Sequence, residues 1–169
     1  MKKKLIVVLA ICLAAALILA GCKGLKKQDE NTNKSTEPES TVQIANPVVE
    51  YDSLAKAEKA VGFTMKLPSE LGTLKLKYTV IDGKLLEACG EMNGKEVVVR
   101  KALGSEDISG DYNSYEKEVT IDLSSCAVTM KGNADGFCLA TWTQNGYSYS
   151  ISTPAISDTA LATLVAQVQ

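Results

Sequence analysis

"TVIDGKLLEACGEMNGKEVVVRKA", residues 79–102, decides the fold. Asp82-Gly83 and Asn93-Gly94 punctuate three runs of apolar residues. Asp-Gly and Asn-Gly are preferred in type I′ turns, because both central residues need positive φ. The stretch therefore predicts an antiparallel meander with strands over 74–81, 84–92 and 96–102. Two-residue connections would set Leu76 opposite Cys89 and Cys89 opposite Val98, with Val80 opposite Leu85 and Leu85 opposite Ala102. Side chains alternate along a strand, so these residues would share one face with Tyr78, Glu87 and Arg100. Glu87 and Arg100 become direct cross-strand neighbours of opposite charge.

The pattern extends outward from there. Residues 103–115 are polar and read as a loop, and four further strands follow over 116–123, 127–131, 137–143 and 147–153. Turns fall at 132–136 and 144–146. Pairing around Asn145-Gly146 sets Trp142 opposite Tyr149 and Ala140 opposite Ile151. Tyr147, Tyr149 and Ile151 alternate with Ser148, Ser150 and Ser152, the mark of a half-buried strand. Upstream, residues 52–62 read as a short helix with Asp52 or Ser53 as cap, Leu54, Ala57 and Val61 on one face, and Gly62 as its end. A last helix begins near Ser157, where Leu161, Leu164, Val165 and Val168 make one apolar face. The expected architecture is α+β: an antiparallel meander of about seven strands, a short N-terminal helix, and a C-terminal amphipathic helix packed on the sheet.

The chain opens with Met1-Lys2-Lys3-Lys4, followed by an uncharged run over 5–20 and then Gly21-Cys22-Lys23. A basic start, an apolar run too short to span a bilayer, and small residues at its end make a secretory signal. Leu19-Ala20-Gly21-Cys22 resembles the lipobox of bacterial lipoproteins. That resemblance implies cleavage before Cys22, acylation of its thiol, and anchoring at the outer face of the cytoplasmic membrane. Residues 23–46 are rich in Lys, Glu, Asn, Ser and Thr and cannot bury enough surface to fold alone. The expected division is a signal over 1–21, a lipidated Cys22 with a polar linker over 22–46, and one domain over 47–169.

The domain carries 11 Lys and Arg against 16 Asp and Glu, a net charge of −5. Such a balance argues against nucleic-acid partners, which need a basic surface. The chain contains no histidine, which removes Ser-His-Asp and Cys-His catalysis and the commonest metal ligand. It has no Cys-x-x-Cys and no glycine-rich phosphate loop. No cofactor and no catalytic residue is expected. Cys89, Cys126 and Cys138 remain in the domain, and the pairing above turns all three inward. They are read as buried free thiols, with a Cys126–Cys138 bridge as the alternative; the hairpin register sets Cys138 opposite Met130 and Cys126 opposite Trp142.

Three sets of residues are candidates for function. Trp142, Tyr147 and Tyr149 form either an aromatic platform for a sugar or peptide or core beneath a helix. Glu87 and Arg100 mark either a polar cavity or a cross-strand ion pair. Asp107, Ser109, Asp111, Asn113 and Glu118 have the 1, 3, 5, 7, 12 spacing of a calcium loop. Tyr112 stands where that loop needs glycine, and an acidic surface loop is the plainer interpretation.

"AEKAVGF" (57–63) with Pro68, "ATWTQNGYSYSI" (140–151) and "LATLV" (161–165) resemble the bacterial family catalogued as domain of unknown function 4367. The resemblance implies export or membrane anchoring in a Gram-positive bacterium, and it assigns no activity. The expected function is a non-enzymatic binding or interaction module at the cell envelope, reached through the lipid on Cys22. Its partner is an unknown envelope protein or small ligand. The alternative is a carrier holding a small apolar ligand or lipid between sheet and helix.

Overall fold

The structure is a computed structural model; it describes residues 46–123 and 125–169. The expected signal, Cys22 and all of the expected linker but Asn46 lie outside the described residues. Elements follow in the order β1 (Val48–Tyr51), α1 (Leu54–Val61), β2 (Lys77–Ile81), β3 (Leu85–Met92), β4 (Lys95–Leu103), β5 (Lys117–Leu123), β6 (Cys126–Asn133), β7 (Gly136–Gln144), β8 (Tyr147–Ile156) and α2 (Asp158–Gln167). The strands form one antiparallel sheet in the order β1-β2-β3-β4-β8-β7-β6-β5. Two four-stranded meanders thus join where β4 pairs β8, and the chain crosses from β4 to the far edge through residues 104–116.

The sheet has eight strands rather than about seven. The additional one, β1, is only four residues long and pairs with β2 across the whole of α1. Val48-Val49-Glu50-Tyr51 has no alternation and no turn beside it, so no local pattern marks it.

The turns explain where the expected register holds and where it slips. Asn93-Gly94 and Asn145-Gly146 are two-residue connections, with Met92 opposite Lys95 and Gln144 opposite Tyr147. Trp142 faces Tyr149 and Glu87 faces Arg100, as expected. Between β2 and β3 the left-handed pair Asp82-Gly83 is followed by Lys84, whose N–H donates to Ile81 O at 3.0 Å, and Ile81 pairs with Leu85. One extra residue in the connection inverts every side chain of β2 relative to β3. Val80 therefore meets Leu86 and Lys77 meets Cys89, so Leu76 does not face Cys89 and Tyr78 leaves the face of Glu87 and Arg100.

The face that is buried is also the opposite of the expected one in β3 and β4. Leu86, Ala88, Val97 and Val99 point into the core, joined by Val128, Met130, Ala140, Trp142, Tyr149 and Ile151 from the second meander. Burial of each large apolar side chain contributes on the order of 1.5–3 kcal/mol. Both helices cover this face, α1 over β1–β3 through Ala57, α2 over β7 and β8 through Leu161, Leu164 and Val165. Ser157 caps α2 by accepting the Ala160 N–H at 3.2 Å. Ser53 at the start of α1 makes no such bond, and Asp52 pairs instead with Lys56 at 2.6 Å.

Residues 63–74 lie between the helices as a strap. Lys66 N–H donates to Gln169 O at 2.8 Å, Ser69 N–H to Gln167 Oε1 at 3.0 Å, and Met65 N–H to Glu58 Oε1 at 2.8 Å. Met65 and Leu71 of the strap are buried. Among the described residues, no helix is long and apolar enough to cross a membrane.

Candidate functional site

The two helices leave the second face of the sheet bare except for the crossover loop. A polar row runs across that open face, one residue per strand: Glu50, Thr79, Glu87, Arg100, Ser150, Thr141, Thr129 and Thr120. Strand alternation makes the row, since the neighbours of each member along its strand lie on the sheet's other face.

Arg100 is its centre. Its Nε donates to Glu87 Oε2 at 2.7 Å, and Nη1 donates to the carbonyl oxygens of Ser109 and, at 3.4 Å, Ile108. One guanidinium thus neutralises a cross-strand carboxylate and holds the loop over the sheet. Gly110 makes the approach possible: its φ is +62°, and a Cβ there would stand 2.6 Å from Arg100 Nη1.

The loop is braced by its own polar side chains. Asp107 Oδ1 accepts from Ser109 N–H at 2.8 Å, Ser109 Oγ from Asp111 N–H at 3.2 Å, and Asp111 Oδ1 from Asn113 N–H at 2.8 Å. Asp111 Oδ2 accepts from Tyr115 Oη at 2.6 Å. Burial works against the Asp111 carboxylate, yet the bonds from Tyr115 and Asn113 outweigh it and hold its pKa below the usual value. Burial, then the same carboxylate, push the Tyr115 hydroxyl up. The oxygens of the calcium spacing therefore serve the loop's backbone. Glu118 stands apart on β5, opposite Lys131 and 3.4 Å from it. Among the described residues, no group of three or more acidic or cysteine side chains is placed to hold a metal ion.

Loop and sheet enclose a polar cavity of about 370 Å³ between residues 109–113 and Glu96, Val98, Arg100, Ser150 and Ser152. Tyr112 stands at its rim, 96% exposed.

Trp142, Tyr147 and Tyr149 lie on the other face. Trp142 and Tyr149 are buried and stacked, centroids 5.1 Å apart with planes 4° from parallel. They are core beneath α2. Tyr147, half-buried, packs edge-on against Phe63 at 5.3 Å. The aromatic set and the Glu87–Arg100 pair are thus separated by the thickness of the sheet.

The cysteines do not share one inward face. Cys89 is on the open face, and burial and then its bond to Glu96 (3.1 Å) push its thiol up to about 11. Cys126 closes β6 opposite Leu123 on the covered side. Cys138 sits at a bulge, so Ala140 rather than Cys138 meets Met130, and Val128 rather than Cys126 meets Trp142. All three are free and half-buried.

No motif of the sequence marks Lys101. It follows Arg100 on β4 and so points through the sheet into the covered face, where it is 6% exposed. Two consecutive cations inside one strand were the available signal, since alternation forces one of them inward. Tested against family models, curated proteins and solved structures, the chain matches none of them.

Proposed function

We propose that the chain is an exported lipoprotein of a Gram-positive bacterium, acylated at Cys22, related to the domain of unknown function 4367 family, and non-enzymatic. Its domain binds a polar envelope ligand or partner on the open sheet face. The observation that supports binding there is the loop-roofed polar cavity at Arg100, with Tyr112 exposed at its rim. A fixed cation, several hydroxyls and an exposed ring together suit a hydroxyl-rich ligand or an extended polar segment. The carrier alternative has less in its favour. The opening between α2 and the sheet, bounded by Cys126, Trp142, Val165 and Val168, holds about 230 Å³, below the roughly 300 Å³ at which ligand sites begin.

Two measurements test this. A clickable fatty acid fed to a Gram-positive host should label the full chain and fail to label Cys22→Ser; equal labelling of both overturns the anchor. A benzoylphenylalanine photo-crosslinker placed at Tyr112 should give a discrete adduct in cells, and the same group at exposed Thr163 on α2 should not. Adding Arg100→Met should remove the adduct. Equal adducts from both positions, or none from 112, would sink the open-face site.

A further inference from the structure

The covered face carries one residue that its packing does not call for. Val80, Leu86, Lys101, Tyr149, Trp142, Val128 and Ile121 form a continuous cross-strand row, apolar in every place but one. A methionine would fill the position of Lys101 without removing a charge from water, so the ammonium is a cost to the fold.

The surroundings of that ammonium are specific. Nζ donates to Thr64 O at 2.7 Å. It lies over three rings, 4.5 Å from the centroid of Tyr147, 5.1 Å from Tyr149 and 5.7 Å from Phe63. An ammonium has three N–H donors, and Thr64 O is the one acceptor it has among the described residues. It makes no ion pair among them either. Glu58 acts on it from a distance, but its Oε1 is taken by Met65 N–H. Burial pulls the Lys101 pKa below the ordinary lysine value, as an ammonium short of partners requires.

A cavity of about 370 Å³ opens onto this group. Thr64, Lys66, Asn145, Tyr147 and Gln169 line it with Lys101. It holds two lysines in a chain whose net charge is −2. The geometry points to this cavity as a binding site for a small ring-bearing carboxylate, with the carboxylate on the free N–H donors of Lys101 and the ring against Tyr147. It lies on the opposite face from the cavity of the proposed function, and the two stand or fall separately.

The experiment is a titration of the full chain in detergent, followed by amide NMR. The probes are benzoate, acetate (the charge without the ring) and benzyl alcohol (the ring without the charge). Benzoate should shift the Thr64, Lys66, Lys101 and Tyr147 signals saturably, with a dissociation constant of about 1 mM or tighter. Acetate should bind at least about tenfold more weakly, and benzyl alcohol should not saturate. Lys101→Met should weaken benzoate at least about tenfold, and Tyr147→Leu should bring its affinity towards that of acetate. Benzoate shifts that persist unchanged in Lys101→Met, equal binding of benzyl alcohol, or no saturable shift in the unsubstituted chain would each overturn the site.

Discussion

Individual side chains here carry opposite demands on the two faces of one strand. Arg100 gives Nε and Nη1 to Glu87 and the loop carbonyls, whereas Lys101, one residue on, gives Nζ to a single carbonyl on the covered face. Lys101→Met is therefore expected to leave the domain no less stable, since relief of the buried ammonium offsets the lost bond to Thr64 O and the lost ring contacts, read as an unchanged or higher Tm. A rise in Tm with loss of benzoate binding would mark a residue kept for a ligand. Cys89 gives a second expectation. Its thiol is pushed from 9.0 to about 11, so the thiol form is favoured by the fold. That stability is full below the ordinary thiol value and is lost as pH rises through the raised one. At pH 8, iodoacetamide should alkylate Cys89 in the folded protein about 100-fold more slowly than in the unfolded chain. Glu96→Gln should narrow the gap, as site-resolved mass spectrometry would show.

At the scale of elements, the turns control which side chains meet. Asn93-Gly94 and Asn145-Gly146 act as plain two-residue turns, and their strands have the expected register. Lys84 inserts one residue after Asp82-Gly83 and turns β2 over. The same dipeptide signal thus admits two registers, and the choice falls to burial: Val80 is buried with Leu86, which the two-residue turn would have prevented. At the β6–β7 bulge, Gly132 has no room for a side chain; a Cβ would lie 2.6 Å from Phe137 Cα and closer still to Gly136 O. Both are backbone, so Gly132→Ala is expected to cost about 2 kcal/mol or more, measured by urea denaturation.

For the whole domain, the decisive contact is β4 with β8. It joins the first meander to the second and creates one core under both helices. Val99 and Ile151 face each other at this seam with no exposed surface. Ile151→Ala should cost about 2–5 kcal/mol. Because the seam is shared, near- and far-ultraviolet circular dichroism should still report one coincident transition. Two separated transitions would show that the meanders fold as independent units. The crossover loop depends on the same seam, since β8 supplies Ser150 and Ser152 to the cavity that the loop roofs. Arg100→Met should leave the sheet intact and raise hydrogen exchange selectively across 104–116.

Local chemistry made much of this protein legible from its residues alone. Positive-φ dipeptides, period-2 alternation and the 3-4-7 spacing of Leu161, Leu164, Val165 and Val168 mark an antiparallel α+β domain with a helix on its sheet. The Glu87–Arg100 and Trp142–Tyr149 pairs follow from short turns. The rest depends on contacts between distant segments. Which face is core, the presence of β1, the β4–β8 seam and the burial of Lys101 are set by what packs against each strand. Alternation defines two faces but cannot say which one the helices will cover, because that is decided by the total apolar surface the assembled sheet can bury.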